Sequence, residues 1–246
     1  MVIRGRDEIR DAYRDDDVAE AYIAERFEHP LGAMLHARQL ASLAGSIEAH
    51  RPGRVLEVAP GPARLTRDVA ARYDRGGVLM DASAQMLARA RERLRSAAHP
   101  WTVVQGDGFQ LPFGRVFDLV YTFRFIRHFE SDDRLRLYRA IHSVLRPGGV
   151  FVFDAVNETV AKPLRSSSSY HQHYDALLRP EAIRAELDAA GFTLVRLQGV
   201  QHRFPLLYQL QVLVGPRSKT LARWAIELVD RTGGEPLEWV VTCVSR

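Results

Sequence analysis

A short apolar run, a turn of small residues and a helix start follow one another without a gap in Val55-Leu56-Glu57-Val58-Ala59-Pro60-Gly61-Pro62-Ala63-Arg64-Leu65-Thr66. Val55 to Val58 has the length of a buried strand and is too short for a helix. Ala59, Gly61 and Ala63 allow a sharp turn and let a ligand approach the backbone closely. Leu65, Val69 and Tyr73 then recur at helical spacing. A strand that runs straight into a helix is the repeating unit of an α/β sheet. Glu57, at the end of that strand, stands where the next helix presents its N–H groups. The arrangement predicts a pocket for a nucleotide-like ligand.

The same turn excludes the commonest phosphate binders. No Gly-x-x-x-x-Gly-Lys-Ser/Thr loop is present. A pyrophosphate needs Gly-x-Gly-x-x-Gly, and small residues at 59, 61 and 63 have the wrong spacing for it. Pro60 and Pro62 also remove two N–H donors that a diphosphate would use. A ligand bearing an ammonium, a carboxylate and a ribose suits the turn better.

Four more segments follow in order: Gly77-Val78-Leu79-Met80-Asp81, Val103 to Phe113 around Asp107, Phe117-Asp118-Leu119-Val120-Tyr121-Thr122, and Leu145-Arg146-Pro147-Gly148-Gly149-Val150-Phe151. With Glu57 to Ala63 as the first, this ordered set resembles the class I S-adenosylmethionine-dependent methyltransferases, in their small-molecule, ubiquinone- and menaquinone-methyltransferase-like group. Two of that group's usual glycines are alanine here, at Ala59 and Ala63. The resemblance implies an α/β, Rossmann-like doubly wound, seven-stranded, mostly parallel sheet with an N-terminal helical cap. The cap would be residues 1–50 and the methyltransferase core 51–246, with an insertion at 200–236 between the last two strands.

The resemblance also implies S-adenosyl-L-methionine as cofactor, held by Glu57, Ala59, Gly61, Asp81, Ala82, Met86, Asp107, Gly108, Phe109, Thr122 and Phe123. Ligands of such sheets lie across the carboxyl ends of the strands. Asp81 would accept both ribose hydroxyls, and Asp107 the adenine amino group, with Phe109 and Met86 as apolar walls. Glu57 would lie near the ligand's cationic end or order water there. Each carboxylate can also be read as an exposed strand end or a helix cap.

Methyl transfer requires an acceptor held in line and water kept out. A base helps when the acceptor is a hydroxyl or a protonated amine. The candidate segment is Tyr121 to Phe129, where Arg124, Arg127 and His128 are the catalytic candidates. His128 has a suitable unperturbed pKa for a base, and can equally be a helix-start histidine bonded to backbone. Some quinone-pathway relatives carry Glu-x-x-Glu-His here and use a metal. Two arginines replace those carboxylates in this chain, so no metal is expected, and one arginine would face an anionic acceptor group.

Of 246 residues, 46% are hydrophobic and 26% charged, globular values compatible with one substantial core. No run of ~18 apolar residues predicts a membrane span, and the polar start does not read as a secretory signal. Cys243 is the only cysteine, which fits a reducing, cytoplasmic setting. The net charge of +4 rests on arginine, with only Lys162 and Lys219 as lysines. The arginines are scattered along helices, and no nucleic-acid motif accompanies them. The expected partner is a small-molecule methyl acceptor.

Val18, Tyr22 and Phe27, then Leu35, Leu40, Leu43 and Ile47, predict a helical start, with Tyr13, Tyr22 and Arg26 as possible pocket residues. Arg165 to Ser169 reads as a loop. Tyr170-His171-Gln172-His173-Tyr174 reads as a lid or a surface segment. His142 and His202 read as structural. Arg217 to Arg231 predicts an amphipathic helix with Leu221, Trp224, Ala225 and Leu228 on one face, covering the site, pairing a homodimer or lying on the surface. Open alternatives are C-methyl transfer, an RNA or protein methyltransferase, and a cofactor-binding protein that does not methylate.

Overall fold

The computed structural model describes residues 27–166 and 175–246. Tyr13, Val18, Tyr22 and Arg26, and the Tyr170 to Tyr174 segment, lie outside the described residues. The elements run α1 (Pro30–His50), β1 (Val55–Val58), α2 (Arg64–Ala70), β2 (Val78–Asp81), α3 (Ala84–Arg93), β3 (Thr102–Gln105) and β4 (Phe117–Thr122). A 3-10 turn (Ile126–His128) leads to α4 (Ser131–Val144), β5 (Leu145–Asn157), α5 (Glu158–Ser166), β6 (Leu177–Leu178) and α6 (Pro180–Ala189). The chain ends in β7 (Phe192–His202), α7 (Phe204–Val214), α8 (Lys219–Asp230) and β8 (Pro236–Ser245).

Seven strands lie in the order β3-β2-β1-β4-β5-β8-β7, and the two-residue β6 pairs with β5. β1 to β5 pair in parallel, whereas β8 runs antiparallel between β5 and β7. The order reverses between β1 and β4, the place where open α/β sheets bind ligands. Alternation along the central strands separates two cores. Val120, Phe151, Phe153, Val241 and Cys243 face α4 and α6 through Leu137, Tyr138, Ile141, Ile183 and Leu187. Leu119, Tyr121, Val150, Val152 and Val240 face α1 and α2 through Leu40, Leu43, Leu65 and Val69. Cys243 packs in the first of these cores as a small apolar residue, and burial pushes its thiol up.

The insertion between β7 and β8 is a helical hairpin of α7 and α8 rather than one helix. It packs on α1 through Leu207 and Ile226 against Leu31 and Met34. Leu221, Trp224 and Leu228 point outward, opposite the buried stripe of Ala222, Ile226 and Asp230. The reading that this helix covers the site does not hold: its outer apolar face is exposed, and none of its residues lines the cleft at the sheet's carboxyl edge. Asp230 anchors the hairpin by accepting from Arg38 Nη2 at 3.0 Å and from the His202 N–H at 2.8 Å.

Candidate functional site

The turn after β1 takes three left-handed positions, Ala59 (φ 53°), Gly61 (φ 55°) and Ala63 (φ 56°). Glycine adopts this region freely, whereas each alanine costs roughly 1–2 kcal/mol. Hydrogen bonds hold it: the Ala59 N–H donates to Met80 O at 2.8 Å and the Gly61 N–H to Asp81 Oδ2 at 3.0 Å. Asp81 Oδ1 accepts the Ser83 N–H at 2.9 Å. One carboxylate thus ties the turn after β1 to the turn after β2. Burial raises the Asp81 pKa against the pull of the Ser83, Gly61 and Ala82 N–H groups.

These turns form one wall of a cleft of about 1190 Å³, counted out to its open mouth. Glu57, Ala59, Gly61, Asp81, Ala82 and Met86 line it from β1, β2 and α3. Asp107, Gly108 and Phe109 line it from the segment after β3, and Phe123, Arg124 and His128 from the segment after β4. Asp107 Oδ1 accepts the Phe109 N–H at 2.9 Å, closing the local turn. A side chain at Gly108 would meet Val58 Cγ1 at 3.1 Å and Phe125 Cε1 at 3.2 Å, so the chain passes closely there. Phe129 packs edge-on to Phe109 at 5.0 Å and to Phe125 at 4.9 Å between ring centroids. Three carboxylates therefore share a cleft with an aromatic wall, a chemistry suited to a cationic ligand with hydroxyls and a flat ring.

Glu57 is buried at the cleft floor. Thr66 Oγ1 donates to Glu57 Oε2 and lies 2.8 Å from Tyr121 Oη. Burial pushes the Glu57 carboxyl from 4.5 to about 8, although Arg64 and the Tyr121 hydroxyl favour its charged form. Arg64, at the first position of α2, also lines the cleft and donates to Gln39 Oε1 at 2.6 Å. Its Cζ stands 3.8 Å from the centre of the Phe27 ring, and Arg124 Cζ stands 5.9 Å from it.

Two of the expected site residues are not brought to the cleft. Thr122 is buried behind its wall. Arg127 points into the core, where Nη2 lies 2.6 Å from Asp154 Oδ2 and 2.9 Å from Glu238 Oε2. Its charge is therefore matched inside the protein, not offered to a ligand. Burial works against that guanidinium, but Glu238 and Asp154 raise its pKa well above the ordinary value. Asp154 Oδ1 also accepts the Arg124 N–H at 2.6 Å, which holds Arg124 in the left-handed region at φ 61°. Asp154 and Glu238 thus shape the segment that carries Arg124 and His128. Sequence reasoning did not single out either carboxylate, although an acidic residue amid the apolar run of β5 was a visible signal.

His128 Nδ1 faces Asp175 Oδ1 at 3.9 Å. Burial opposes the Asp175 charge, but Arg127, His128, Arg124 and Arg165 hold its pKa below the ordinary value. Among the described residues no three His, Cys, Asp or Glu side chains converge as a metal site would require.

Residues 55–149 match the family described as a methyltransferase domain. No curated protein sequence matches the chain. Similar solved structures include the magnesium protoporphyrin IX methyltransferase of Synechocystis with bound SAH, 14% identical, with a TM-score of 0.71 over 98% of this chain and 100% of that one. A possible histamine N-methyltransferase of Thermotoga maritima is 15% identical, with a TM-score of 0.64 over 95% and 97%. The (4+2)-cyclase SpnF is 17% identical, with a TM-score of 0.66 over 100% and 97%. At these identities the likeness is one of fold.

Proposed function

Residues 55–149 match a methyltransferase domain, and on that footing we propose that the chain is a class I S-adenosylmethionine-dependent methyltransferase that moves a methyl group to an oxygen or nitrogen of a small-molecule acceptor without a metal. The observation that carries this reading is the convergence of Glu57, Asp81 and Asp107 on one cleft faced by phenylalanines. S-adenosylmethionine fits that donor set. Each Asp81 oxygen retains acceptor capacity for a ribose hydroxyl beyond its backbone bond. Asp107 suits the adenine amino group, Glu57 the cationic amino-acid end, and Met86 and Phe109 the faces of the ring. When bound, the cofactor supplies a methyl carbon on a positively charged sulfur that leaves readily.

The protein's own work is orientation, exclusion of water and proton handling. Phe123, Phe125 and Phe129 keep the acceptor side of the cleft apolar. Arg124 offers a planar cation to a carboxylate or phosphate on the acceptor. His128, with Asp175 beside it, takes the acceptor's proton at an imidazole nitrogen. Arg127 acts as a positioning residue through Asp154.

The test offers the purified protein S-adenosylmethionine and a panel of small aromatic hydroxy- and amino-carboxylates, with and without EDTA. We expect acceptor-dependent S-adenosylhomocysteine that EDTA does not abolish. Arg124→Ala should raise the acceptor KM by roughly 10- to 100-fold, the worth of a charged hydrogen bond, while cofactor Kd holds. Tight cofactor binding with no S-adenosylhomocysteine from any acceptor would overturn the transferase reading.

A further inference from the structure

Eight large apolar side chains are exposed among the described residues, and all but Val195 belong to the α7–α8 hairpin. On α7 they are Leu206, Tyr208, Val212 and Leu213, turned away from the buried Leu207. On α8 they are Leu221, Trp224 and Leu228, spaced i, i+3 and i+7 directly opposite Ile226. Trp224 is 63% exposed and Leu213 is 64% exposed. A soluble monomer rarely gathers its exposed apolar groups this way, and such a patch marks a docking surface.

Charge identifies the partner. Exposed Arg217 and Lys219 sit at the hairpin tip, exposed Arg231 borders the apolar stripe just past the end of α8, and exposed Arg223 lies further round that helix. The acidic residues of α8 are Glu227, 4.0 Å from Arg231, and Asp230, which is buried against Arg38 and His202. The face is thus apolar at its centre and cationic at its edge, with an indole and a phenol among its anchors.

We propose that the α7–α8 hairpin docks this protein on an anionic lipid surface. Leucine and aromatic side chains would enter the boundary between headgroups and acyl chains, and arginine and lysine would meet lipid phosphates. No helix among the described residues is long and apolar enough to cross a membrane, so the docking is peripheral. A second copy of the chain is a poorer occupant, because on this face it would offer the cations only Glu227 as an exposed acidic partner.

The experiment mixes the full chain with phosphatidylcholine vesicles, with or without one third phosphatidylglycerol, and reads co-sedimentation and indole emission. Trp224 is the exposed tryptophan among the three in the chain, so insertion should shift emission to the blue. Binding should be at least ~10-fold tighter to the anionic vesicles and should weaken with added salt. Arg217→Gln with Lys219→Gln should cost about fivefold per cation. The triple variant Leu221→Ser, Trp224→Ser, Leu228→Ser should lose co-sedimentation while staying folded with a Tm close to wild type, because more than half of each residue's surface is exposed. A wild-type chain that stays in the supernatant with every vesicle overturns the proposal. So does equal binding to neutral vesicles, or a concentration-dependent dimer that the triple variant dissolves while vesicles are ignored.

Discussion

Glu57 is a single side chain whose surroundings set how the protein responds to pH. Its carboxyl sits at about 8 in the folded chain against an ordinary 4.5, chiefly through burial. The folded state therefore holds a proton that the unfolded chain has released across that window. Its contribution to stability is complete below pH 4.5 and is lost as pH rises through 8. A cationic ligand beside Glu57 favours the ionised form, so binding should expel a proton and affinity should climb toward pH 8. Titration calorimetry in buffers of different ionisation enthalpy checks this. Glu57→Gln should remove the Glu57 share of proton release and flatten the pH dependence, and identical proton counts in the two proteins would refute the assignment.

The segment between β4 and α4 shows how one strand can shape another strand's loop. Asp154 on β5 accepts from the Arg124 N–H and from the Arg127 guanidinium, and Glu238 on β8 completes the buried cluster. Without Asp154, Arg127 keeps its pair with Glu238, but the Arg124 N–H and one guanidinium N–H lose their acceptor, at about 1–3 kcal/mol each. Asp154→Ala should lower Tm by roughly 10 °C in a chain of this size, measured by calorimetry. Asp154→Asn should cost less, because an amide oxygen can still accept the Arg124 N–H. A Tm within 1 °C of wild type for Asp154→Ala would mean that the cluster does not hold this loop.

For the whole molecule, α1 links the two working surfaces. Leu31 and Met34 near its start pack under the hairpin, and Gln39 further along accepts from Arg64 at the cleft. The cleft lies at the switch point of the sheet, between elements that both cores support, so a ligand there stabilises the entire fold. S-adenosylhomocysteine at about 100 times its Kd should add ~2.7 kcal/mol. That raises Tm by roughly 5–10 °C in a thermal scan. Asp81→Ala should abolish most of the shift. No shift with the wild-type chain would count against the cleft as the cofactor site.

Much of this was readable before folding, because it depends on near neighbours in the chain. The strand, small-residue turn and helix around Gly61 follow from local periodicity and from backbone freedom at 59, 61 and 63. Glu57, Asp81 and Asp107 end up together because each stands at or near the carboxyl end of a parallel strand, and adjacent parallel strands bring those ends to one edge. Other features depended on packing between distant segments. Arg127 looks from sequence like a candidate for an anionic acceptor, yet carboxylates on β5 and β8 claim it. Leu221, Trp224 and Leu228 have the spacing of a buried face, yet α8 has apolar residues on two sides, and α1 covers the one bearing Ile226. Periodicity reports that a helix has an apolar stripe. Which stripe faces the core is decided by the elements that arrive to cover it, and that is a property of the folded chain alone.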